Sequence, residues 1–445
     1  MLANNILFIT SDQQHWMAMG YRNPEVKTPN LDRLVERGTT FHRAYTVNPT
    51  CTPTRASWIT GLYPGQHGAY SLGTKLMENV PTIGDNLREH NFRSALVGKA
   101  HFQPLDSTDE YPSLEAYPTL HNLEFWRNFN GPFYGFDHVE LARNHVDESH
   151  VGQHYALWME EKGYKNWRDY FCSNKHGFTF PEDQYADSTH ISPDPGQGWE
   201  IPEEIHYNTW IAERTNALLE EYSRLGESFF LWASFFDPHP PYMIPEPYAS
   251  MYNPEEVTVP EHCEGEFDDK PPYFQLSQQE NPDFSAFQEP DGNSIHGGGS
   301  HLKSHDVKAK NIAVMYGMMT MMDKYIGKIL DKLDDLGLTE STLVCFTSDH
   351  GDFLGQHGLT QKAIHHYEDL LRVPLVVSMP GAIPQGRVSE SLQSTVDLSQ
   401  TFLNMAGLPA PRTMAGIDQT EVCPVSYTPA GNSILFRLQE NKLRL

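Results

Sequence analysis

Short apolar runs of strand length recur along the chain, and each ends in polar residues. Residues 6–10 lead into Ser11 and Asp12, residues 94–97 into Gly98 and Lys99, and residues 229–236 into Asp237. Residues 343–347 lead into Ser348 and Asp349, and residues 375–378 into Met379 and Pro380. Continuous rather than alternating apolar positions predict strands buried on both faces, as in a parallel sheet. Between these runs the apolar residues take a helical period. Thr28-Pro29-Asn30 opens one helix, with Leu31 and Leu34 on one face. Residues 210–225 present Ile211, Leu218, Leu219, Tyr222 and Leu225. Residues 311–336 present Ile312, Met315, Met319, Met322, Ile326, Ile329 and Leu333, a stripe that reads as core packing. Strands alternating with helices predict a doubly wound α/β sandwich. In such folds the carboxyl ends of the strands form the ligand crevice, and that is where the polar residues fall.

Two stretches break the pattern. Residues 104–202 are rich in His, Tyr, Asn, Pro and Trp, and residues 245–305 in Pro, Gln, Glu and Gly, including Gly297-Gly298-Gly299. Both read as long insertions, either lids over a site or variable surface. Their aromatics Trp126, Phe133, Tyr134, Trp158, Trp167 and Trp199 read as local core in preference to a stacking platform for a sugar or aryl group.

A chain of 445 residues with 39% hydrophobic and 12% aromatic positions supports a folded core. The formal net charge of −26 argues against nucleic acid and anionic membrane as partners, because the long-range field repels polyanions. An anionic substrate stays compatible if a local basic pocket outweighs that field within a Debye length of about 10 Å. The five cysteines (Cys51, Cys172, Cys263, Cys345 and Cys423) form no CxxC pair, so neither a disulfide scaffold nor a zinc framework is expected. Cys51 aside, they read as small buried hydrophobes. No leader-like segment or membrane-length apolar run is present in the sequence, so a cytoplasmic location is the expectation.

Cys51 stands in Cys51-Thr52-Pro53-Thr54-Arg55. Pro53 suits a first helical turn and residues 56–62 continue it, which places Cys51 at a helix N-terminus where the dipole favours negative charge. Arg55, one turn on, can fold back toward the same point. This motif resembles the Cys-x-Pro-x-Arg signature of type I sulfatases, in the alkaline phosphatase superfamily. Further landmarks follow in the family's order from residue 5 to about residue 408: the first strand ending at Asp12-Gln13, Lys27-Thr28-Pro29-Asn30-Leu31-Asp32, Gly98-Lys99-Ala100-His101, Ser348-Asp349-His350-Gly351-Asp352 and Arg372-Val373-Pro374-Leu375.

The resemblance implies a large mixed, mostly parallel sheet sandwiched by helices. It implies a catalytic domain over residues 1–410 and, in residues 411–445, a much reduced C-terminal subdomain. A homodimer covering an exposed sheet edge is the accompanying expectation. The resemblance further implies that a maturation enzyme oxidises Cys51 to formylglycine. A hydrated aldehyde offers two hydroxyls, one to attack sulfur and one to lose its proton later and expel sulfate.

By the same resemblance, Asp12 and Asp349 are ligands of one divalent metal, with Gln13, Cys51 and His350 completing the set. Ca²⁺ is expected first, as a hard cation on oxygen donors. Gln13 and His350 depart from the Asp-Asp and Asp-Asn pairs common in calcium-bound members, and an imidazole shifts preference toward Mn²⁺, with Mg²⁺ also in the set. Arg55 steadies the formylglycine, while Lys99, His101 and Lys362 face the sulfate. His239, in Asp237-Pro238-His239-Pro240-Pro241, is the candidate general acid. An extended continuation of the strand at 94–98 would put Lys99 and His101 on one face. Among the 22 histidines, His365 and His366 are weaker candidates without an assigned role.

The substrate implied is a small-molecule or saccharide sulfate ester. Phosphonate monoester and phosphodiester hydrolases share the fold and the signature. Gln13, His350 and His239-Pro240-Pro241 lean toward them, and Lys99 with His101 leans back toward a sulfatase. An inactive relative that only binds sulfated glycans should lack the nucleophile or a metal carboxylate, and this chain has both.

Overall fold

The computed structural model describes residues 2–104, 106–143, 151–171, 198–280, 282–287 and 301–420. Eight strands form one sheet: β1 (Asn5–Ser11), β2 (Thr39–Tyr45), β3 (Arg93–Gly98), β4 (His138–Leu141), β5 (Phe229–Ser234), β6 (Thr342–Ser348), β7 (Leu375–Ser378) and β8 (Arg387–Ser394). Their order is β4-β3-β5-β1-β6-β7-β2-β8. β7 runs against both its neighbours, and the other pairings are parallel. The sheet is therefore mixed and mostly parallel, as expected.

Successive side chains of a strand point to opposite faces, and here both faces are covered. Leu7, Ile9, Val97, Leu231, Ala233, Val344 and Phe346 pack with Trp210, Ile211, Met315, Met319 and Met322 from the helices Tyr207–Leu225 and His305–Asp335. The methionine stripe is core. Ile6, Phe8, Leu96, Phe230, Trp232, Leu343 and Cys345 pack on the opposite face with Trp58 and Ile59 of the helix Cys51–Thr60 and Phe402 of the helix Leu398–Met405. Trp58 meets Phe8 and Trp232 edge-on, with ring centroids 5.2 and 5.7 Å away.

The register positions the site. Ser11 of β1 lies beside Ser348 of β6, Thr10 beside Ser234 of β5, and Gly98 of β3 beside Ser234. Four adjacent parallel strands, β3-β5-β1-β6, thus end at one level, and the residues just beyond them fall in a row. Gly98 is required there: it sits at φ 110°, and a Cβ would lie 2.0 Å from the Ser234 carbonyl oxygen.

Several expectations need correction or qualification. β3 ends at Gly98 and His101 stands at φ 62°, so the chain does not continue extended through Lys99 to His101. The stretch read as an insertion at 104–202 contributes β4 to the sheet, and its helix Gln153–Glu161 joins the core. Trp126, Phe133, Tyr134, Trp158, Trp167 and Trp199 are all buried, as core aromatics. Cys263 is exposed, contrary to the buried reading, whereas Cys345 is buried. Cys172, Cys423, Gly297-Gly298-Gly299 and most of residues 411–445 lie outside the described residues. Among the described residues no helix is long and apolar enough to cross a membrane.

Candidate active site

Cys51 is the first residue of the helix Cys51–Thr60, all ten residues of which are buried. Burial fixes this helix under the sheet's carboxyl edge and leaves its N-terminus, with unpaired N–H groups and positive dipole end, facing the row of strand ends. Asp12 follows β1 and Asp349 follows β6, both fully buried. One donor atom each from Asp12, Cys51, Asp349 and His350 lies within 4.8 Å of the others.

Arg55 ties the two strands' carboxylates together. Its Nε donates to Asp349 Oδ2 at 2.8 Å, and its Nη2 lies 3.5 Å from Asp12 Oδ2. Nη1 donates to the Lys99 carbonyl at 2.9 Å and to Ser234 Oγ at 2.8 Å, so one guanidinium touches the ends of β1, β3, β5 and β6. Lys99 Nζ pairs with Asp12 Oδ2. Burial alone would raise the Asp12 carboxyl, but Lys99, His239, Arg55 and Lys362 outweigh it and hold it well below the usual carboxylate range.

His350 is oriented by its backbone. Nδ1 lies 2.9 Å from the Gly351 carbonyl, which only accepts, so Nδ1 carries the hydrogen and Nε2 turns inward. Nε2 sits 3.2 Å from Cys51 Sγ and 3.8 Å from Asp12 Oδ1. Burial opposes charge on this ring, yet Asp349 and Cys51 together outweigh it and its pKa lies above the ordinary value. Two carboxylates and an inward-facing imidazole nitrogen make a donor set that fits a divalent cation.

Lys362 reaches the same point from the opposite side. Its Nζ donates to Cys51 Sγ at 3.2 Å and to Gln13 Oε1 at 2.8 Å, and lies 3.0 Å from His239 Nε2. Burial and Asp12 both oppose ionisation of Cys51, but the positive charge gathered around it, with Lys362 and Lys99 foremost, brings the thiol below its ordinary value. Gln13 is held by Asp352, whose Oδ2 accepts from Gln13 Nε2 at 2.7 Å and from the Tyr242 hydroxyl at 2.8 Å. The Gln13 side-chain oxygen is thus directed at Lys362. His239 Nδ1 lies 2.5 Å from the Pro240 carbonyl, which leaves Nε2 facing Lys362.

His101 is buried, and neither ring nitrogen has a hydrogen-bond partner among the described residues. Burial, then the charges of Lys99, Arg143 and Arg55, hold its pKa well below the ordinary value, so the ring is neutral at pH 7. His365 is elsewhere: it packs among Phe267, Tyr273, Phe274 and Phe353, while His366 is exposed.

Asp12, Gln13, Cys51, Arg55, Lys99, Asp349, His350, Lys362 and His239 therefore share one connected cluster, with His101 close enough to feel its cations. Three basic side chains, Arg55, Lys99 and Lys362, face two carboxylates, Asp12 and Asp349. A divalent cation would make the pocket strongly positive, a setting for a tetrahedral oxyanion despite the acidic protein around it. Sequence reasoning gave no role to Asp352, Glu115 or Arg143. Asp352 was visible in the Ser348–Asp352 motif, but nothing in the sequence around Glu115 or Arg143 marks them.

A family model for Sulfatase matches residues 4–408. The chain is 28% identical over 435 residues to a multifunctional alkaline phosphatase superfamily protein of Trinickia caryophylli, covering 94% of this chain and 76% of that one. It is 26% identical over 418 residues to an arylsulfatase of Clostridium perfringens, covering 93% and 77%. A phosphonate monoester hydrolase from Silicibacter pomeroyi superposes with a TM-score of 0.73 at 22% identity, covering 96% of this chain and 78% of that one. At that identity the superposition speaks for the shared fold and not for a shared reaction.

Proposed function

The chain belongs to the sulfatase family, and from that premise we propose that it hydrolyses the sulfate ester of a small molecule or saccharide at a formylglycine derived from Cys51. The observation that carries this reading is the convergence on one buried sulfur of His350 Nε2 and Lys362 Nζ, each 3.2 Å away, beside two buried carboxylates bridged by Arg55. The thiol stands here for the aldehyde hydrate that a maturation enzyme would make of it.

Asp12, Asp349 and His350 would hold a divalent cation, which when bound supplies positive charge to the ester oxygens and lowers the pKa of a neighbouring hydroxyl. Ca²⁺ comes first on the two carboxylates, and the imidazole draws the preference toward Mn²⁺. Arg55 keeps both carboxylates aimed inward. Lys99 and Lys362 offer ammonium groups to the oxyanion, and neutral His101 offers one donor and one acceptor. His239 gives a proton to the leaving oxygen only when protonated at Nε2. That nitrogen lies 3.0 Å from Lys362 Nζ, so the two groups meet at the same side of the pocket.

A phosphonate monoester carries the same single negative charge on a tetrahedral centre, so the charge balance of the pocket does not separate the two reactions. Gln13 and His350 favour that second reading. The test is direct: purified protein, co-produced with a formylglycine-generating enzyme, is given an aryl sulfate and the matching aryl phosphonate monoester. Higher kcat/KM on the sulfate supports the proposal, and higher kcat/KM on the phosphonate overturns it.

A further inference from the structure

We propose that Glu115 is a positioning residue for His101, its buried carboxylate clamping the backbone that holds the His101 ring beside the reacting centre. Its role in turnover rests on the reaction proposed above, but its geometry does not. Glu115 is 1% exposed. Its Oε1 accepts from the His101 amide at 2.6 Å, and its Oε2 accepts from Phe102 at 2.8 Å and Gln103 at 2.9 Å. Three consecutive amides turned toward one anion form a backbone nest, and here the anion is the protein's own side chain.

The need for the clamp follows from where the chain goes. β3 ends at Gly98, so the amides of residues 101–103 have no sheet partner and must be satisfied otherwise once buried. His101 stands at φ 62°, a left-handed conformation that a non-glycine residue keeps only when its surroundings over-determine it. Its ring gives no help, since neither nitrogen has a hydrogen-bond partner among the described residues. A single carboxylate can accept from all three amides at once, whereas a hydroxyl or a carboxamide oxygen has fewer lone pairs to give.

Other contacts lace the same two segments together. Leu114 N donates back to Gln103 Oε1 at 2.6 Å, and Ser113 Oγ donates to the Pro104 carbonyl at 2.9 Å. Buried Arg143 donates from Nη1 to the Glu115 carbonyl at 2.9 Å, and its charge attracts the carboxylate. Glu115 touches neither the cation cluster nor Cys51 in any of these contacts. Its action on the reaction passes through His101.

Glu115→Gln keeps the size of the side chain but puts an NH₂ group against an amide N–H. Hydrogen exchange at the His101, Phe102 and Gln103 amides is expected to speed up about tenfold or more. On an aryl sulfate, kcat is expected to fall about tenfold or more, because a displaced catalytic group costs rate before it costs binding. The same substitution in a His101→Ala background is expected to cost less than about twofold of the residual rate, because there is no ring left to misplace. Equal losses in both backgrounds, or unchanged exchange at the three amides, overturns the proposal. If Glu115→Gln does not fold, Glu115→Asp, which draws the charge back by one methylene, is read by the same two measurements. A wild-type protein that cleaves no sulfate ester counts against the proposed function, and the exchange measurement then decides the clamp alone.

Discussion

Arg55 keeps a full charge at zero exposure, with Asp349 at 2.8 Å and Asp12 at 3.5 Å. Removing a buried cation leaves its carboxylates uncompensated, so Arg55→Ala is expected to cost about 3–5 kcal/mol of stability in denaturant unfolding. It should also reduce kcat by about 10²–10³, the usual effect of losing one preorganised charged donor. A stability loss under about 1 kcal/mol would show that the three groups do not act as one unit. In the proposed metal site, the His350 imidazole is the group expected to bias the choice of metal. Replacing its nitrogen by oxygen in His350→Asn should move the metal retained from an equimolar Mn²⁺ and Ca²⁺ mixture toward Ca²⁺, as read by elemental analysis. An unchanged ratio would mean that the imidazole does not select. At this scale the sequence was informative where a motif concentrates chemistry, as in Cys51–Arg55 or Asp349-His350. It was silent on Glu115, which meets His101 only because the chain folds back across 14 residues.

The helix Pro29–Arg37 shows how elements hold one another. Thr28 precedes it and makes no side-chain cap hydrogen bond. Asp323 of the helix His305–Asp335 supplies the cap instead, accepting from Leu31 N at 2.7 Å and Asn30 N at 3.0 Å. Burial pushes the Asp323 carboxyl up to about 6, although the amides of Leu31 and Asn30 pull the other way. The unfolded carboxyl ionises near pH 4, so between about pH 4 and pH 6 the folded protein binds a proton that the unfolded chain has lost. That contribution to stability is fully present below pH 4 and is lost as pH rises through 6, about 3 kcal/mol in all. Asp323→Asn should flatten this slope in urea midpoints measured from pH 4 to 6.5, and an unchanged slope would place the titration elsewhere. Elements were legible in proportion to their burial. β1, β3, β5, β6 and β7 were visible as continuous apolar runs because both faces of each are covered. β2, with its Thr, His and Arg, lacks such a run, and β8 exposes most of its residues at the sheet edge. β4 is only four residues long within a polar, aromatic stretch.

On the scale of the whole molecule, the charge of −26 opposes a pocket built around Arg55, Lys99 and Lys362. A long polyanion feels the distant field that a monosaccharide sulfate mostly escapes. Raising salt from about 0.05 to 0.3 M, which shortens the screening length below 10 Å, should lower KM for a sulfated oligosaccharide more than for a monosaccharide sulfate. A larger effect on the monosaccharide would contradict this division between field and pocket. The order of the sheet brings together residues 12, 51, 99, 239, 349 and 362, spread over most of the chain, through four strands ending level. These elements converge on Cys51. The deciding measurement is the intact mass of the peptide containing Cys51, from protein co-produced with a formylglycine-generating enzyme. A loss of ~18 Da relative to cysteine is the predicted result, read on the free aldehyde, because its hydrate regains one water and with it nearly the mass of cysteine. Cysteine persisting under those conditions would contradict it.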